Sequence, residues 1–85
     1  MRQIWNYENT IVWLTGVGSS SDPSFTGVVQ TGKGMTFIWE ALVSPQGYRI
    51  EINSRLDGKP VMGIRVMQSP TFNLGLEVAK AAQQA

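Results

Sequence analysis

The chain has neither cysteine nor histidine among its 85 residues. Without cysteine there is no disulfide framework and no thiolate nucleophile. Without histidine as well, there is no conventional zinc or copper site, no Ser-His-Asp arrangement and no side chain that ordinarily titrates near neutrality. Charge is also scarce: charged residues make up 15% of the chain, and seven basic residues against six acidic ones leave a net charge of +1. That balance is far from the strongly basic one of most nucleic-acid binders. No stretch approaches the roughly 18 consecutive apolar residues of a membrane span. The first residues hold no basic segment leading into an apolar run, so no export signal is expected and the cytoplasm is the expected location. Residues 1–85 read as a single small domain with little margin of core, for which self-association into a homo-oligomer is expected.

The acidic residues give no catalytic pattern. Glu8, Asp22, Glu40, Glu51, Asp57 and Glu77 are scattered without the paired spacing of a metal or glycosidase site. Gly27-Val28-Val29-Gln30-Thr31-Gly32-Lys33 has the spacing of a phosphate-binding loop, but Gly34 stands where such loops carry the Ser or Thr that holds magnesium. The segment therefore reads as a strand ending in a glycine turn with an exposed lysine. No catalytic residue, metal or cofactor is assigned, and the protein is not expected to be an enzyme.

What is present is alternation. Tyr48, Ile50 and Ile52 alternate with Arg49, Glu51, Asn53 and Arg55, and after Leu56-Asp57-Gly58 the pattern resumes with Met62, Ile64 and Val66. This is the signature of a β-hairpin. A two-residue Asp57-Gly58 turn would set Ile50 against Arg65 and mix apolar with charged groups on both faces. A three-residue loop, Leu56-Asp57-Gly58, pairs Arg55 with Lys59, Ile52 with Met62, Ile50 with Ile64 and Tyr48 with Val66, and sorts the faces. One face is then core. The other gathers Arg49, Glu51, Arg55, Lys59 and Arg65, with Arg49 directly opposite Arg65, a like-charge pairing that costs stability unless an acid or an external anion compensates.

Elsewhere Arg2–Tyr7, Thr10–Thr15 and Phe25–Gln30 read as strands, and Gly16–Ser24 as a surface loop. Met35–Val43 reads as a central strand, with a short helix as the competing assignment. Trp13, Phe37 and Trp39 are assigned to the core. Ser69 is positioned to cap a C-terminal helix over 69–84 with Pro70 in its first turn, although Phe72, Leu74, Leu76 and Val78 also alternate and Gly75 disfavours a helix. The expected fold class is α+β, mainly β: an antiparallel sheet of about five strands, open or curled into a partial barrel, with one C-terminal helix.

Two functions fit these residues. The first is a non-catalytic protein-interaction module, an inhibitor, accessory or assembly protein, presenting Arg49, Glu51, Arg55, Lys59 and Arg65, or a strand edge, to another protein or to a second copy. The second is a single-stranded nucleic-acid binder using Arg49, Arg65 and Lys33 on phosphates with Trp5 and Trp39 as stacking platforms. Gly32-Lys33-Gly34 followed by Met35-Thr36-Phe37 is similar, over that short stretch, to the glycine-lysine turn and strand of filamentous-phage single-strand DNA-binding proteins, a resemblance that implies nucleic-acid binding.

Overall fold

The computed structural model describes every residue from Met1 to Ala85. Six strands follow one another, β1 (Arg2–Tyr7), β2 (Thr10–Val17), β3 (Ser24–Gln30), β4 (Thr36–Ser44), β5 (Gly47–Ser54) and β6 (Pro60–Met67), and then the helix α1 (Leu74–Gln84). The strands pair in chain order as an antiparallel meander. No helix is long and apolar enough to cross a membrane.

The strands number six rather than about five, and the first two, Arg2–Tyr7 and Thr10–Val17, are joined by a two-residue turn. Glu8 and Asn9 both take positive φ, 49° and 61°, the conformation whose twist suits a tight hairpin. Met35–Val43 resolves as β4, paired on both sides.

The sheet is open and does not close into a barrel. The helix packs against β1, β2 and β3 and also against β5 and β6, so the sheet curls around it, yet β1 and β6 remain unpaired edges. One sheet face and the helix make the core: Val12, Val29, Phe37, Trp39, Ala41, Ile50 and Ile52 meet Val78, Ala79, Ala81 and Ala82. Small helix residues permit this close approach, and Gly75 carries it furthest, since a Cβ there would stand 2.6 Å from the Cβ of Trp5. The glycine that disfavoured a helix in the sequence is therefore a packing requirement.

The helix starts at Leu74, not near Ser69. Asn73 is the cap, its Oδ1 accepting from the Leu76 N–H at 3.1 Å. The segment before it is committed elsewhere: the Phe72 N–H donates to the Ser69 carbonyl in a turn, and the Phe72 ring stacks on Tyr48 at 3.9 Å between centroids. That stack ties the connector to β5 before the helix can begin.

The β5–β6 register follows the expectation from Gly47 to Ile52, with Tyr48 opposite Val66, Arg49 opposite Arg65, Ile50 opposite Ile64 and Ile52 opposite Met62. It departs at the turn. Asn53 pairs with Pro60 after a register shift, Ser54 N–H donates to the Lys59 carbonyl, and Gly58 N–H donates to the Ser54 carbonyl. Arg55 therefore belongs to a longer loop and does not pair with Lys59. Gly58 is left-handed (φ 70°) as the turn requires, Asp57 Oδ1 accepts from the Lys59 N–H at 3.0 Å, and the bulge at Val61 restores the alternation.

Candidate interaction surface

Because side chains alternate across a strand, packing one face against the helix leaves the other uncovered. On that open face, Trp13 of β2 lies opposite Val28 of β3, and Val28 opposite Ile38 of β4. These residues form an apolar row across adjacent strands. None of them belongs to the core cluster or packs against it. Ile38 is 37% exposed, and Leu42, two residues along the same strand, is 41% exposed. Trp13, expected in the core, is half-buried on this open face.

Charge is arranged beside the row. Glu40 of β4 lies directly opposite Glu51 of β5, and in the neighbouring register position Arg49 lies directly opposite Arg65. Each like-charge pair alone is unfavourable, and the two pairs, of opposite sign, sit at adjacent same-face positions along β5. Arg49 Nη2 approaches Glu51 Oε2 at 3.9 Å, with the arginine 59% and the glutamate 29% exposed. Glu40 is a second acid beside these arginines, so the patch is mixed in sign rather than basic.

The other expected site residues are spread out. Arg55 and Lys59 are exposed in the β5–β6 turn, and Lys33 is exposed in the β3–β4 turn. Those turns lie at the end of the sheet away from the Arg49–Arg65 pair, which is next to the Ser44–Gly47 end. Trp5 lies on the covered face, packed with the core against Gly75. Its indole Nε1 is buried and has no hydrogen-bond partner. Trp39 is fully buried and donates from Nε1 to the carbonyls of Trp13 and Val28, both at 3.2 Å. Neither tryptophan is placed to stack on a base.

The near-match to a phosphate-binding loop is not a loop. Gly27 to Gln30 is extended within β3, and Thr31 to Gly34 forms a tight turn closed by the Gly34 N–H donating to the Thr31 carbonyl at 2.9 Å. The turn leads into β4, so no helix N-terminus faces it.

A cleft of about 440 Å³ opens at the same end, between Glu8, Asn9, Thr31, Lys33 and the helix end at Gln83. Gln83 Nε2 is already engaged there, donating to Thr10 Oγ1 at 3.1 Å and to the Tyr7 carbonyl at 3.4 Å.

Sequence reasoning missed Trp13, Val28, Ile38 and Leu42. In β2 and β4 both alternating sets are apolar, Ile11 and Trp13 against Val12 and Leu14, and Ile38 and Leu42 against Phe37 and Trp39. Such a pattern marks a strand covered on both faces, and here the protein itself covers only one. No protein-family model matches the chain, and neither the curated proteins nor the solved structures provide a match.

Proposed function

We propose that the protein is a non-catalytic interaction module that docks another protein on its open sheet face. One observation carries this: a tryptophan-containing apolar row, Trp13, Val28 and Ile38, spans the face that the helix leaves uncovered. Exposed contiguous apolar surface marks interaction sites, and a large aromatic ringed by polar groups is the usual anchor of an interface. Glu40, Glu51, Arg49 and Arg65 supply the rim and fix orientation through their alternating signs.

Nucleic-acid binding has less support. Trp5 and Trp39 lie beneath the helix or in the core, and the Arg49–Arg65 pair has Glu40 and Glu51 beside it, which weakens its attraction for a phosphate backbone.

The test is capture with immobilised parent chain and with Ile38→Arg, both first shown to be folded by circular dichroism. A protein retained by the parent and lost from the variant supports the face as the site. Capture of the same proteins by both would reject it. Fluorescence anisotropy with labelled single-stranded DNA and RNA at low salt runs in parallel, and binding abolished by Arg49→Glu with Arg65→Glu would restore the nucleic-acid alternative.

A further inference from the structure

The sheet has two unpaired edges, and they differ. β1 is six residues long, its register slips between Gln3 and Trp5, and the helix lies along it. Irregularity and cover of this kind protect an edge from pairing with another chain. β6 is eight residues long and keeps an unbroken register from Met62 to Met67. Its only charged side chain is Arg65, its Val61 and Met67 are 48% and 77% exposed, and Met62, Ile64 and Val66 are half-buried at the rim of the core.

The direction of the free backbone groups follows from Gly47. A Cβ on Gly47 would stand 2.3 Å from the Val66 carbonyl oxygen and 3.1 Å from the Gln68 nitrogen, so those groups point inward at β5. In an antiparallel ladder a residue directs both its N–H and its C=O to one side, and the side alternates along the strand. Met62, Ile64 and Val66 therefore bond to β5, and Gly63, Arg65 and Met67 direct their N–H and C=O groups outward.

We infer that β6 is a self-pairing edge: two copies of the chain join their β6 strands antiparallel about a two-fold axis at Ile64. In this register Gly63 of each copy lies opposite Arg65 of the other, and Val61 opposite Met67. Every arginine then meets a residue without a side chain, the two exposed apolar residues meet each other, and the outward groups of Gly63 and Arg65 bond reciprocally. Only registers shifted by an even number of residues keep both faces aligned. The shift that centres on Arg65 sets the two guanidinium groups face to face, and the shift that centres on Gly63 leaves Met67 opposite Lys59, outside the strand. Pairing at Ile64 joins the two sheets and extends both open faces without using Trp13 or Ile38, so it stands independently of the docking function proposed above.

Position 63 gives a test in which fold and assembly respond with opposite sign. Within one chain Gly63 lies opposite Glu51, and a Cβ there has only the Ile50 carbonyl oxygen nearby, at 3.9 Å. Gly63→Lys should raise the thermal midpoint of the monomer relative to Gly63→Glu, because lysine faces Glu51. In the dimer, lysine faces the second copy's Arg65, and its two symmetry-related repulsions should weaken association about tenfold, whereas glutamate should strengthen it. Sedimentation across a concentration series reads the association. The absence of cysteine allows a second readout. Ile64→Cys would face its own copy in a non-hydrogen-bonded pair, close enough for a disulfide, whereas Met62→Cys would lie about 13 Å from its counterpart. Oxidation should cross-link the first and not the second. A parent chain that remains monomeric at its highest soluble concentration, equal cross-linking of the two cysteine variants, or lysine and glutamate at position 63 shifting association in the same direction would each overturn the inference.

Discussion

The indole of Trp39 lies against Gly27 of the neighbouring strand, and a Cβ on that glycine would come within 2.6 Å of the ring and 1.9 Å of the Trp13 carbonyl oxygen. The ring fills the place a side chain would take, and its Nε1 bonds the carbonyls of Trp13 and Val28. Gly27→Ala should therefore destabilise the fold by about 3 kcal/mol, because the displaced atoms include backbone. Trp39→Phe, which keeps most of the apolar area and loses the donor, should cost about 1–3 kcal/mol. Urea unfolding monitored by circular dichroism reads both. A Gly27→Ala variant as stable as the parent would remove this contact from the account of the core.

The start of the helix gives a second expectation. Asn73→Ala removes the side-chain acceptor of the Leu76 N–H and should cost about 1 kcal/mol. Ser69→Ala should cost little, because Ser69 Oγ contacts only the exposed Thr71 hydroxyl. The reverse order would return the cap to Ser69.

Gly75 separates propensity from packing. Within a helix, glycine to alanine ordinarily gains about 1 kcal/mol. Here the new methyl would meet Trp5 Cβ at 2.6 Å, so Gly75→Ala should lower the thermal midpoint, and Trp5→Gly, which removes that Cβ, should relieve part of that loss in the double variant. Additive losses in this cycle would mean that the two residues do not touch.

Parts of the structure were legible in the sequence for a definite reason. From Tyr48 to Ile52 and from Met62 to Val66, apolar and polar residues alternate cleanly, so only one register sorts them and the ladder follows it. The strands Arg2–Tyr7 and Thr10–Thr15 leave only Glu8-Asn9 between them, but the pair lacks glycine and only Asn9 favours positive φ, so the tight hairpin was weakly marked. Ser69 and Asn73 are both good caps, and the choice between them is made by long-range contacts, Phe72 on Tyr48 and Gly75 on Trp5. The open face was hidden for a different reason. Trp13 and Ile38 have the composition of core residues, and only the position of a single helix shows that nothing in this chain covers them.

That distinction leads to the last expectation, which separates stability from function on the two faces of one sheet. Ile52 is fully buried beneath the helix, and Ile52→Ala should cost about 2–5 kcal/mol through lost burial and the cavity left behind. Ile38 projects from the open face between Val28 and Asn53, and Ile38→Arg removes no packing against the core. Its effect on unfolding free energy should stay within about 1 kcal/mol, while the arginine places a charge in the middle of the apolar row. A folded, stable Ile38→Arg chain that no longer retains the partner held by the parent would show that the row is maintained for docking. Destabilisation comparable to Ile52→Ala would instead show that the open face contributes to the fold itself, and the apolar row would then need no partner to explain it.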